Sequence, residues 1–540
     1  MRHALLVIVS LLFSSQLALA QPSTQQQKLV ANNAIGAAVQ GASVALSADG
    51  NTAIVGGPGD NSNTGAAWVW TRSSDIWTQQ SKLVGTGAIG PIGPAQGQSV
   101  ALSADGNTAI VGGNVDNAGA GAAWVWTRNN GVWTQQQKLV ANDAVGRAFQ
   151  GFSVALSADG NTAIVGGPSD NTSGPNLSVG AAWVWTRSNG VWTQQTKLIA
   201  NNTLLGPEQG FSVTLSADGN TAIVGGPLDA GGAPGGAWIY TRSSGVWMQT
   251  NTLFPFDPHG RPQHGFSVAL SADGNTAIVG GPFDLSPRNS SAGAAWVYTR
   301  LSFPPWNQQA KLVANNAVEG AQQGFSAALS ADGNIAIVGS GSGGAAWVWT
   351  RSNDVWTQRQ KLDPSHGHGG AGRSVALSAD GDTAIVGGPG DNSNTGAAWV
   401  FIKPLPFSAF NVQLTVYPNQ PGFSINSNFT LGTTSDGINP PTEPVTLQIG
   451  EFTITIPPGS FVKPGGAPEY FFVGVIDGVS LSVSLIKLGS SNDYAFGVIA
   501  KNVRLSIVNP VTVTLTIGDD SGRTSVNAVT RDDRELNSIG

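Results

Sequence analysis

The chain has 540 residues, of which 72 are Gly and only 11% are charged, and its 26 Lys and Arg against 32 Asp and Glu leave a net charge of −6. Charge this thin, with no basic run, excludes the electrostatic footprint of a nucleic-acid binder. The absence of Cys excludes disulfides.

Met1-Arg2-His3 is a short basic start, Ala4–Phe13 is apolar, and Ala18-Leu19-Ala20 before Gln21 has the small-x-small form of a signal-peptidase site. Residues 1–20 therefore read as a secretory signal peptide, cleaved between Ala20 and Gln21. The apolar stretch is too short for the ~20 residues of a spanning helix, and no later stretch is long enough, so no transmembrane span is expected in the mature chain. No Cys follows the signal to carry a lipid anchor. A long exported chain without Cys points to a bacterial protein that is secreted or held at the cell surface.

From Gly41 to Phe401 one phrase recurs seven times, its Ser-Ala-Asp-Gly core beginning at Ser47, Ser103, Ser157, Ser216, Ser271, Ser330 and Ser378. Self-similarity at such a period means a propeller, a solenoid or an array. In the third repeat, Phe152–Ser157 and Thr162–Val165 are short runs joined by the hairpin signal Asp159-Gly160-Asn161, and Ala181–Arg187 and Val191–Leu198 form a second pair around Ser188-Asn189-Gly190. Nothing in the unit has helical period. Seven repeats of four antiparallel strands predict an all-β, seven-bladed β-propeller over residues 21–403. Closure points the same way. Ser23–Val30 matches the fourth strand of a repeat, such as Trp77–Val84, while the seventh repeat stops at Phe401 without one. The N-terminal strand is thus expected to complete the last blade and remove a free edge.

The character of the sequence changes at Lys403-Pro404-Leu405-Pro406, and all 17 Trp lie before that point. Residues 405–540 read as a separate module. Thr446–Ile449, Glu451–Ile456 and Val511–Ile517 alternate as strands do, which predicts a β-sandwich-like fold, with a small barrel as the alternative. Val445–Gly450 is echoed by Val511–Gly518, as an internal duplication would produce.

The repeats resemble the FG-GAP repeats of bacterial exported proteins, which are similar to the blades of the integrin α-subunit propeller. Gly151-Phe152-Ser153-Val154-Ala155 carries the start of the motif and Val165-Gly166-Gly167-Pro168 stands where the family has Gly-Ala-Pro. The likeness covers residues 23–401 and implies binding rather than catalysis. One family feature is missing. Integrin-type blades carry an Asp-x-Asp-x-Asp-Gly calcium loop, whereas this hairpin reads Ser157-Ala158-Asp159-Gly160-Asn161, with one carboxylate where calcium wants several. Asp49, Asp105, Asp159, Asp218, Asp273, Asp332 and Asp380 are therefore read as turn residues. A second set, Asp60, Asp116, Asp170, Asp229, Asp284 and Asp391, follows the Gly-Gly-Pro corner or its variant. These cap loop amides in the preferred reading and hold a cation, calcium, in the other. No other cofactor is expected.

Trp183 and Trp185, two apart on one strand, recur as paired aromatics in every repeat and suit packing between blades. The fourth-strand residues Trp77, Trp133, Trp192, Trp247, Trp306 and Trp356 are the indoles expected to meet any ligand. His366-Gly367-His368 lacks a carboxylate to complete a metal shell and reads as a solvated loop; His259 and His264 likewise fall in a loop. No catalytic motif is evident, and no lone polar outlier stands at a repeated position. What does vary is the connection from second to third strand, as in Pro168–Val179, and the connection between repeats, as in Gly85–Gln96 and Phe254–His264. Both emerge on the same face. That variable face is the expected surface for a protein or glycan ligand, and a polysaccharide hydrolase or lyase with carboxylates at the central channel is the alternative.

Overall fold

A computed structural model describes residues 23–73, 76–90, 93–171, 178–201, 206–228, 234–285, 291–300, 306–364, 369–403, 405–418, 421–432, 435, 437–450, 452–463, 469–489, 492–507, 509–518 and 520–531. The signal segment with its Ala20–Gln21 cleavage site lies outside the described residues, as do Asp229, His366 and His368. The chain divides into two compact units, Ser23–Lys403 and the segment from Pro404 onward. No helix among the described residues is long and apolar enough to cross a membrane.

In the first unit, local turn chemistry makes each repeat a four-stranded antiparallel sheet. The third repeat runs Ser153–Leu156, Thr162–Gly167, Ala181–Ser188 and Val191–Leu198, paired in that order. In its first hairpin Ser157 Oγ accepts the Thr162 N–H at 2.9 Å and donates to Asp159 Oδ1 at 2.5 Å, and Asp159 Oδ1 also takes the Asn161 N–H. Burial alone would raise the Asp159 carboxyl. The bonds from Ser157 and Asn161 and the charge of Arg187 outweigh burial and hold it below the usual carboxylate range. In the second hairpin Asn189 and Gly190 take φ of 49° and 80°, the left-handed pair that a two-residue turn demands. The second strand, Thr162–Gly167, is buried along its whole length because sheets cover both of its faces.

Among the described residues there are seven such sheets, and two sets of bonds close them into a cycle. The Ala48 N–H donates to the Ala104 carbonyl, Ala104 to Ala158, Ala158 to Ala217, Ala217 to Ala272, Ala272 to Ala331, Ala331 to Ala379, and Ala379 back to Ala48, all at 2.8–3.0 Å. On the first strands, Ser43 Oγ donates to the Gly97 carbonyl, each later Ser repeats the contact, and Ser374 returns to Gly41, at 2.7–2.9 Å. The sheet of the last repeat takes its fourth strand from Thr24–Leu29, which pairs antiparallel with Ala397–Ile402 from Thr24↔Ile402 to Leu29↔Ala398. Apolar layers fill the spaces between sheets. Trp183 and Trp185 of the third sheet pack with Ile110, Val125 and Leu139 of the second.

Departing from pure strand, Asp60–Asn63, Asp116–Gly119 and Asp391–Asn394 each form a single helical turn, with left-handed backbone at Asn61 and Ser62 and their equivalents. Asn tolerates that conformation, whereas Ser62, Ala118 and Ser393 adopt it against their ordinary preference, and turns this short leave no trace in a search for helical period.

The second unit has a five-stranded sheet ordered Leu405–Pro406, Asp520–Val526, Val511–Ile517, Val445–Ile449 and Phe452–Ile456. A six-stranded sheet is ordered Glu469–Ile476, Val479–Lys487, Asp493–Lys501, Gly422–Thr430, Ala409–Tyr417 and Val529–Thr530. Both share one core, in which Leu447, Ile454 and Leu515 meet Phe423, Leu481 and Phe496. The two echoing segments are direct partners, paired antiparallel from Val445↔Ile517 to Ile449↔Val513.

Candidate functional site

The second-to-third-strand connection of one repeat lies beside the connection that leads into the next, joined by parallel bridges such as Gly121↔Gln150 and Gly180↔Gln209. The Asp set after the Gly-Gly-Pro corner fastens them. Asp60 Oδ1 accepts the Ile35 N–H at 2.7 Å while Oδ2 meets Lys82 Nζ at 2.7 Å. Asp116 does the same with Ile89 and Lys138, Asp170 with Val145 and Lys197, and Asp284 with His259 and Lys311. Asp391 pairs with Lys28 of the closing strand at 2.7 Å. Where both oxygens have protein partners, a cation would have to displace an ammonium. Among the described residues no three His, Cys, Asp or Glu side chains are grouped to hold a metal.

The fourth-strand indoles turn their N–H groups back to the preceding sheet: Trp77 to Gln26, Trp133 to Gln80, Trp192 to Gln136, Trp247 to Gln195 and Trp356 to Gln309, at 2.8–2.9 Å. Trp77 and Trp192 are buried, at 2% exposed, while Trp133, Trp247 and Trp356 are half-buried. One expectation fails: the repeats are not free of lone polar outliers. His264 stands where five other repeats have a buried Gln, and Arg373 stands where four have Phe.

The His264 exchange has a structural cause. In those five repeats the Gln oxygen accepts a backbone N–H, from Ala31, Gly85, Ala141, Ala200 or Ala314, at 2.5–2.8 Å. The corresponding residue before His264 is Pro255, which has no N–H to give; before Ala371 it is Pro364. His264 instead shares a 2.9 Å hydrogen bond with the Tyr298 hydroxyl. It is fully buried rather than solvated, and burial pushes its pKa down to about 3.

The Arg373 position has no such cause. It follows the Gly that opens each first strand, and across the seven repeats it holds Ala42, Gln98, Phe152, Phe211, Phe266, Phe325 and Arg373. That Gly aims it. Gly151 has φ +80°, its N–H bonds to the Gly166 carbonyl at 3.0 Å, and a Cβ there would run into the Ala122 carbonyl oxygen. The next residue is left at the mouth of the central channel, between that fixed turn and the Ser that bonds to the neighbouring sheet.

The result is an asymmetric ring. Phe152, Phe211, Phe266 and Phe325 form a continuous crescent with centroids 4.8, 4.7 and 4.6 Å apart and planes tilted by 48°, 52° and 51°. The Arg373 guanidinium ends it, 4.8 Å over the Phe325 ring. Ala42, Gly369, Gly370 and Gly390 bring no bulk to the rest of the lining, and the cavity so formed measures about 780 Å³. Among the described residues Arg373 is the only charged side chain in its lining, and none of them contributes a carboxylate. Of the Asp, Trp and His residues singled out in the sequence, none that is described lines this cavity. In the sequence Phe152 stands out only as the start of a strand and of the repeat motif, and the signal for the site is the seven-way comparison at that one position.

The family model for the FG-GAP repeat matches residues 133–185 and 356–401. A search of curated proteins found no match. Among solved structures the chain is similar to hydrazine synthase of Kuenenia stuttgartiensis, at 14% identity over 68% of this chain and 98% of that one, with a TM-score of 0.45. It is also similar to a protein from Lactobacillus plantarum, at 16% identity over 63% and 89% with a TM-score of 0.43. The periplasmic gluconolactonase of Pseudomonas aeruginosa follows at 18% identity over 59% and 84%, with a TM-score of 0.39.

Proposed function

We propose that this chain, an FG-GAP repeat protein with a β-propeller fold, is a secreted or cell-surface binding module without catalysis of its own. In this reading the propeller has seven blades and binds a protein or polysaccharide through its variable loop face. The second unit is a β-sandwich that docks to the envelope or to a further partner. The Asp60 set is structural.

One observation carries the binding role: four neighbouring, half-buried Phe side chains stand at a position where Ala42 and Gln98 serve the same fold. Packing does not require them. Apolar rings held half-open to water cost solubility unless something covers them. A glycoside hydrolase would need a carboxylate pair about 5–9.5 Å apart, and the described residues of the cavity lining offer none, which favours binding over hydrolysis.

The test is a protein and glycan array probed with the purified chain and with a Phe211→Ala, Phe266→Ala double variant. Captured ligands should be lost in the variant while its melting temperature stays within a few degrees of the parent. Release of oligosaccharides from a polysaccharide panel, or capture indifferent both to the Phe changes and to exchange of the second-to-third-strand connections, defeats the reading.

A further inference from the structure

We infer that the cavity at the channel mouth takes the C-terminal carboxylate of a polypeptide ending in an apolar residue, an inference that rests on the binding role just proposed.

The charge pattern sets one end of the ligand. Arg373 is exposed and makes no ion pair among the described residues. Its guanidinium lies 4.8 Å from the centre of the Phe325 ring, and the fork of an Arg matches a carboxylate through two parallel N–H bonds. With no second charge among the described residues of the lining, a single anionic group is complemented and a polyanion is not.

The crescent sets the other end. Neighbouring rings tilt by 48–52°, so they form a corrugated apolar wall rather than the flat platform on which a sugar ring stacks. Besides Arg373 the lining carries the amides of Gln98 and Asn394, which can pair with peptide groups but are few for the many hydroxyls of a glycan. The volume of about 780 Å³ is large for a free acid with one ring and lies in the range that encloses a ligand of drug size, roughly two or three residues. Apolar side chain, peptide groups and terminal carboxylate meet Phe, amide and Arg in turn.

The experiment uses the full chain and fluorescein-labelled pentapeptides ending in phenylalanine, leucine or aspartate, each as the free acid and as the carboxamide, read by fluorescence anisotropy at pH 7. Acids with an apolar end should bind about tenfold or more tighter than their carboxamides, as a charge-assisted pair warrants. Arg373→Gln should bring the acid down to the carboxamide and leave the carboxamide unchanged. Phe211→Ala should weaken both, with melting temperature and circular dichroism as the check on folding. Equal binding of acid and carboxamide, or no binding of either, overturns the inference. So does displacement by 3-phenylpropanoate at the peptide's own concentration, which would make the cavity a site for free acids, and so does Arg373-dependent displacement by oligogalacturonate, which would make it a glycan site. An array ligand that survives Arg373→Gln and Phe211→Ala but is lost on exchange of the loops would sink this inference and leave the binding role standing.

Discussion

Trp183 shows how much one side chain can carry in a layered ring. Its indole is fully buried between the second and third sheets, and its N–H donates to Asp143 at 2.8 Å. Trp183→Ala should cost about 3–5 kcal/mol by denaturant unfolding, whereas Val191→Ala, at a side chain 58% exposed, should stay within about 0.5 kcal/mol. Similar losses at the two sites would mean that the layer is not packed as described. His264 supports a second prediction, in pH. Its folded pKa is depressed to about 3 while the unfolded value is near 6.5, so below that value the unfolded chain gains a proton that the folded chain refuses. The stability it gives is complete above about pH 6.5 and falls as the pH drops toward the folded value. In thermal melts at pH 8, 6.5 and 5, the advantage of the parent over His264→Gln should shrink step by step; parallel curves would show that the buried imidazole does not titrate as argued. Neither fact about His264 is legible in the sequence, because a loop position gives no sign of burial and the link to Pro255 emerges only once the Gln to N–H bond of the other repeats is seen.

At the level of the element, the four-stranded unit is legible because its signals are local. Asp159-Gly160-Asn161 and Asn189-Gly190 are turns wherever they stand, and the expected strands at Thr162–Val165 and Val191–Leu198 match the observed Thr162–Gly167 and Val191–Leu198 closely. What local signals omit is the partner across a sheet boundary. The fourth-strand indoles look like free aromatics in sequence, yet their N–H groups find Gln side chains one repeat earlier. The crescent is hidden for the same reason, since Phe152 and Phe325 become parts of one wall only when successive sheets dock. The connections carry a prediction about metal. Asp60, Asp116, Asp170 and Asp284 each hold an ammonium on one oxygen and a loop N–H on the other. Chelator should therefore leave the melting temperature unchanged within error. A rise of several degrees on adding calcium would be the mark of a ligand that binds only the folded state, and would show that these carboxylates exchange Lys for the ion.

For the whole propeller unit, stability depends on a ring with no weak joint, and the joint is the strand Thr24–Leu29. It completes the sheet of the last repeat by pairing with Ala397–Ile402, and it buries Leu29 to 1% exposure. It also ties that sheet to both neighbours. Gln26 and Gln27 bond to the indole and backbone of Trp77 in the first sheet, and Ser23 exchanges two 2.6 Å bonds with Gln360 in the sixth. Lys28 answers Asp391 at 2.7 Å. Deleting residues 21–30 thus removes more than one strand's hydrogen bonds: it opens an edge along Ala397–Ile402, unpairs the Trp77 N–H and leaves Asp391 buried without its cation, a kind of loss that costs more than an exposed pair does. The truncated chain should melt at a clearly lower temperature than the chain beginning at Gln21 and should scatter light on heating, as an open sheet edge recruits other copies. Calorimetry alongside static light scattering decides it. If the two proteins melt alike and neither aggregates, the two hydrogen-bonded cycles at Ala48–Ala379 and Ser43–Ser374 hold the ring closed without the terminal strand, and the closure belongs to the inner strands alone.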